Sequence, residues 1–171
     1  LEDVRQVRCD TASLTSVNLL RVLLAERGLH PAFEPLGSVD DAAREDAVLL
    51  IGDPAIAFRR GKPEHTIWDL GAAWRERTGL PFVYAMWALR REANTDRLRR
   101  ELARAGQRGQ EEMERILQDS NLFDPEFRRA YLTRHTHHRL GEPEKAGVAH
   151  FVALLRRHLG GKVYDPRYVV P

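Results

Sequence analysis

Four hydroxyl side chains crowd a six-residue stretch of the segment CDTASLTSVNLL: Thr11, Ser13, Thr15 and Ser16. They lie between a predicted strand and a predicted helix. The first turn of a helix presents backbone N–H groups without helical partners, and hydroxyls beside them complete a seat for an anion. A carboxylate or a phosphate is the natural guest. Ordinary capping by Ser13 or Thr15 accounts for the same residues. The glycines and lysine of a Walker loop or a dinucleotide fingerprint are absent. A second candidate is Asp53, in LLIGDPA, where an apolar strand runs into Gly-Asp-Pro. Asp53 either caps the helix that follows, or accepts a substrate hydroxyl or acts as a base. Metal binding is the weakest reading, because no carboxylate or histidine stands at a recognisable spacing.

Other reactive types carry less. His135, His137 and His138 fall in HTHH on a predicted helix, where His135 and His138 share a face. The pattern is not HExxH and has no glutamate placed as base, so solvated histidines account for it. Cys9 on a strand reads as a small core residue. No Ser-His-Asp or Cys-His arrangement can be drawn from spacing. Trp68, Trp74, Tyr84 and Trp87 are not interleaved with a basic patch and read as core. Phe82 or Tyr84, near polar loops, is placed to line an apolar pocket for a ring.

The elements that must hold these residues follow from periodicity. VRQVRC, residues 4–9, reads as a short strand. Residues 16–27 read as a helix, with Val17, Leu20 and Leu24 at helical spacing beside Leu19 and Leu23, and Gly28 as its stop. HPAFEPL is a weaker strand, and residues 40–44 a short helix or turn. Residues 47–51 are apolar throughout, which predicts a central strand covered on both faces. This strand–helix–strand order predicts an α/β fold with parallel pairing. WDLGAAWRERTG predicts a short helix with Leu70 and Trp74 four apart and Gly79 at its end. LPFVYAMWAL predicts a long strand, Phe82, Tyr84 and Met86 on one side and Val83, Ala85 and Trp87 on the other.

From Asp96 onward only helices are expected. One covers 96 to about 118. Another begins at Asp124-Pro125, an N-cap with proline in the first helical position, and runs to about His138. The last opens at Gly141-Glu142-Pro143 and closes at Gly160-Gly161, before an extended tail. The expected division is an α/β lobe over 1–92 and a helical segment with tail over 93–171.

The composition bounds the partners. The 171 residues are 43% hydrophobic, with 27 Lys+Arg against 25 Asp+Glu and a net charge of +2. That balance does not suggest a nucleic-acid surface. No apolar run approaches the ~20 residues of a membrane span. The single cysteine cannot form an internal disulfide, which fits a cytoplasmic protein.

Three segments together, DTASLTSVNLLRVLLAERGL, AVLLIGDPAI and WDLGAAWRERTGLPFVYAMWAL, resemble the MqnA/MqnD family of the futalosine route to menaquinone. The IGD at the third strand looks like the MqnA branch, the chorismate dehydratases. The resemblance implies a type II periplasmic-binding-protein-like fold of two α/β lobes, with this chain similar to the second lobe plus C-terminal helices and the N-terminal lobe not represented. It implies a hydro-lyase that converts chorismate to 3-[(1-carboxyvinyl)oxy]benzoate. A non-catalytic binder of small anions and an MqnD-type dihydroxynaphthoate synthase are the alternatives.

By the same resemblance, Ser13, Thr15 and Ser16 would bind a substrate carboxylate. Asp53 would lie in the cleft and orient the ring or its hydroxyl, as the protein's candidate base beside a carboxylate of the substrate itself. Phe82, Tyr84 and Trp87 would pack against the ring. Aromatisation supplies driving force, so neither a metal nor a redox cofactor is expected. The implied partner is a small carboxylate, with no nucleic acid and no membrane. The 171 residues alone are expected to be inactive, and aggregation-prone or homodimeric.

Overall fold

The computed structural model describes residues 2–120 and 123–169. These form two units, one of residues 2–85 with 143–165, the other of 86–120, 123–142 and 166–169. The first unit is α/β. Strand β1 (Gln6–Cys9) lies between β2 (Ala32–Pro35) and β3 (Val48–Leu49), both parallel to it. Gln6 pairs with Ala32, and Cys9 pairs with both Pro35 and Leu49. Arg8 stands opposite Glu34 and forms ion pairs with Glu34 and Glu45, which locks charge along the ladder. The central strand is therefore β1. The run at 47–51, expected to be central, contributes only two residues at an edge of the described sheet. Its apolar character reflects packing of Leu49 and Ala47 against Val7, Cys9, Leu20 and Leu24.

Helix α1 (Leu14–Ala25) obeys its pattern: Leu19, Leu20, Val22, Leu23 and Leu24 are buried. Its chain crosses from β1 to β2 and covers the sheet with Leu20 and Leu24. The opposite flank, Leu19, Val22 and Leu23, packs with Ala73 and Trp74 of α3 (Leu70–Thr78) and with Leu154 of α7 (Glu142–His158). Helix α3 begins behind Asp69, its N-cap, which accepts the N–H of Ala72 at 2.9 Å. It ends at Gly79, whose φ of 71° is the left-handed conformation glycine tolerates. Helix α7 aligns Gly147, Phe151, Leu154, Leu155 and His158 on one side, the i, i+4, i+7 spacing of a packed face. Gly147 meets the backbone there: a Cβ on it would stand 2.2 Å from the Pro81 carbonyl oxygen.

The long strand expected at LPFVYAMWAL does not form; residues 81–90 are extended without ladder pairing. Alternation alone does not make a strand, which needs a neighbour for its N–H and C=O groups. Here the alternation serves packing instead, as Phe82 turns inward against Trp74 and Phe151.

The second unit contains α4 (Asp96–Glu111), α5 (Met113–Asp119) and α6 (Pro125–Ala130). Thr95 caps α4, and Asp124 caps α6 by accepting the Phe127 N–H at 2.8 Å, with Pro125 behind it. Arg129 of α6 bridges Glu114 of α5. The helix expected to reach His138 instead passes into a π-turn at Tyr131–His135 and becomes extended at Thr136. His138 donates from Nε2 to the Leu132 carbonyl at 3.1 Å. His135 and His138 thus do not share a helix face. Residues 162–169 of the tail form no helix or strand, and its last two residues lie outside the described region.

One charged cluster ties the first unit together. Glu26, at the C-cap of α1, accepts hydrogen bonds from Arg77 of α3 and His158 of α7, with Arg157 at 3.8 Å. A carboxylate at a helix C-terminus opposes the helix dipole, so these cations offset an unfavourable position. Burial tends to raise the Glu26 carboxyl. The hydrogen bonds from Arg77 and then His158 outweigh it and hold the group below its ordinary value of 4.5.

A lowered folded pKa adds stability that is fully present above the unfolded value and lost as pH falls through the folded one. Glu26→Gln is therefore expected to cost about 2 kcal/mol at neutral pH, the scale of charge-assisted hydrogen bonds. The gap from the wild type should close as pH falls below 4.5. Urea titrations across pH 3–7 check this, and a gap independent of pH would remove the ionic account.

Candidate active site at the carboxyl edge of the sheet

The hydroxyl turn joins β1 to α1. Ser13 is the N-cap: its Oγ accepts the Ser16 N–H at 3.1 Å and donates to the Ser16 Oγ at 3.1 Å. Ser16 is buried, Ser13 and Thr15 are half-buried, and Thr11 is exposed. Ser16 thus turns inward and serves the cap. The Leu14 and Thr15 N–H groups belong to the first turn, where no helical carbonyl accepts them. No acidic residue occupies that turn. Asp10, just before it, accepts the Ala12 N–H at 2.9 Å and shapes the approach. The start of α1 is thus capped by Ser13 and has no acidic residue in its first turn, and Thr15 is half-buried there.

Asp53 is not the cap of α2 (Gly52–Arg60). The cap position is Ile51, which has no side-chain cap bond. The chain turns from β3 into α2 through Gly52, whose φ is 57°. A side chain there would be strained, so the glycine answers to backbone geometry. Asp53 follows it in the first turn, exposed and at the positive end of the helix. Because Cys9 and Leu49 are register partners in parallel strands, both the Ser13–Ser16 turn and Asp53 leave the same carboxyl edge of the sheet. In parallel α/β sheets that edge is where ligands bind.

The aromatic candidates separate. Phe82 and Tyr84 meet edge to face, with centroids 4.7 Å apart and planes at 74°. Phe82 also contacts Trp74 and Phe151, so it packs against the core. Tyr84 is 47% exposed. Trp87 belongs to the second unit and is 67% exposed. Asp69 and Gly71 lie beside the Tyr84 hydroxyl, and their signal in the sequence is a glycine directly inside a capped helix.

Cys9 is buried, donating weakly to the Val7 carbonyl. Burial pushes its thiol up, with Arg21 pulling weakly the other way, so it is no nucleophile. Among the described residues, no group of three or more His, Cys, Asp or Glu is gathered to hold a metal, and no helix is long and apolar enough to cross a membrane. An open apolar groove of about 410 Å³ lies between Val39, Ala43, Pro54, Phe58 and Pro63, and none of the predicted site residues lines it.

Two curated relatives carry the name chorismate dehydratase. The protein from Thermus thermophilus is 41% identical over 108 residues, which is 54% of this chain and 40% of that protein. The protein from Campylobacter jejuni is 34% identical over 70 residues, 39% of this chain and 31% of that protein. The chain thus spans less than half the length of either relative. Residues 1–157 match the family described as menaquinone biosynthesis. With the capped hydroxyl turn and Asp53 on one sheet edge, and this match over most of its length, the chain belongs to the menaquinone biosynthesis family.

Proposed function

We propose that this chain is part of a chorismate dehydratase, built as the second lobe and C-terminal helices of a type II periplasmic-binding-protein-like fold and working in the cytoplasm. The observation that carries the reading is the shared carboxyl edge. A helix start lined by Ser13 and Thr15 and an exposed carboxylate, Asp53, both leave it, in a chain similar to two proteins named for this reaction.

In this reading a substrate carboxylate sits on the first-turn N–H groups of α1 and the Thr15 hydroxyl, with Ser13 and Ser16 holding the turn in shape. Tyr84 and Phe82 flank the ring on one side. The reaction breaks a ring C–H and a C–O bond. The base takes the proton, the electron pair forms the new ring double bond, and the hydroxyl departs as water with a second proton. The balance is one chorismate to one benzoate ether and one water, with no net oxidation. Asp53 at the positive end of α2 orients the leaving hydroxyl or takes the ring proton; a carboxylate of the substrate is the alternative base. Orientation is a large part of such catalysis.

The test is direct. Incubation of the two-lobed enzyme containing this chain with chorismate should produce benzoate absorbance matched by chorismate loss, whereas the 171 residues alone should give none. Binding of chorismate without consumption would make the protein an anion-binding module instead, and absence of binding would end the reading altogether.

A further inference from the structure

The segment that carries Phe82 and Tyr84 has no strand partner among the described residues, yet its path is tightly specified. Thr78 donates to the Trp74 carbonyl at 2.8 Å and accepts the Leu80 N–H at 3.1 Å, which fixes the exit from α3. The Pro81 carbonyl then lies against α7 at Gly147, so closely that a Cβ there would be 2.2 Å from its oxygen. Phe82 inserts between Trp74 and Phe151. Finally the Tyr84 hydroxyl reaches back to the start of α3. A Cβ on Gly71 would stand 2.9 Å from that hydroxyl, 3.8 Å from the ring carbon bearing it and 3.4 Å from the Asp69 Oδ1. Gly71 has an ordinary helical backbone, so conformation does not require glycine there. Alanine is the better helix former. What a side chain at 71 would displace is the tip of Tyr84.

We propose that Gly71 is a positioning residue for Tyr84: its missing side chain is the seat of the phenol, and with Gly147 anchoring the segment it sets where the Tyr84 ring stands in the substrate site. The part of this that concerns substrate rests on the chorismate reading above. The seat itself is a matter of packing and stands without it.

The experiment compares Gly71→Ala, Tyr84→Phe and the double variant in the full protein. The methyl at 71 abuts the end of a flexible side chain rather than backbone, so Gly71→Ala is expected to fold, with a melting temperature within ~5 °C of the wild type. The Tyr84 ring resonances, assigned by their loss in Tyr84→Phe, should shift in Gly71→Ala. KM for chorismate should rise about fivefold or more while kcat stays within about twofold, the mark of a lost binding contact. In the Tyr84→Phe background, where the hydroxyl is gone, adding Gly71→Ala should change KM little. Unmoved Tyr84 resonances, or an equal KM penalty in both backgrounds, would overturn the proposal. If the wild type does not consume chorismate, the functional reading fails, and the ring resonances by themselves decide the seat.

Discussion

In the two-lobed enzyme, Asp53→Asn should lower turnover of chorismate by about 10²-fold or more while leaving the fold nearly intact, the range expected when a positioned acid–base group is removed. The separation of the two effects follows from the structure. Asp53 is exposed, holds no cap bond, and owes its place to Gly52 and the strand before it. Its structural contribution is a favourable charge at a helix start, worth about 0.3–1 kcal/mol. Asparagine keeps the shape and removes the charge, so denaturant midpoints should move little. The measurement is kcat across pH together with urea unfolding. Turnover within about threefold of the wild type would remove Asp53 from the chemistry. Parallel loss of stability and activity would return it to a structural role.

Trp74→Ala should be the most destabilising single change, at about 3–5 kcal/mol. Trp74 is fully buried at the meeting of α1, α3 and α7, with Phe82, His150 and Phe151 around it at ring separations of 5.3, 5.6 and 5.9 Å. Alanine would empty the junction that holds all three helices and the Phe82 segment. Trp74→Phe should behave quite differently. The indole N–H is buried and has no hydrogen-bond partner among the described residues. An orphaned buried donor costs about 1–3 kcal/mol. Phenylalanine discards that cost along with part of the volume, so a net loss below about 1.5 kcal/mol is expected. Urea unfolding followed by circular dichroism compares the two. A phenylalanine variant as unstable as the alanine one would mean that the N–H is satisfied, for instance by a buried water.

What the sequence determined by itself is local. Ser13 before a leucine-rich period of 3.6, Asp69 and Asp124 at helix starts, Pro125 behind its cap and Gly79 at a stop each specify an element through backbone chemistry within a few residues. The α/β order and the parallel pairing also followed from the alternation of elements, because a short strand, a helix and another strand close on themselves in one way. The hydroxyl turn and Asp53 were legible for the same reason, since each sits where a strand ends.

The tertiary structure alone decided which strand is central and which apolar run is not a strand at all. Residues 81–90 and 47–51 have the composition of buried strands, but a ladder is a property of two segments, and among the described residues only β1 has two partners. It also decided that Glu26 is held by residues 51 and 132 positions away, against the preference of its own helix end, and that α7 joins the α/β unit through Gly147. Nothing near Gly71 in the chain announces Tyr84, thirteen residues on, as the reason for a glycine there. Local chemistry writes the elements, whereas contacts between residues distant in the chain are chosen by the packing of whole faces, which no short window of sequence contains.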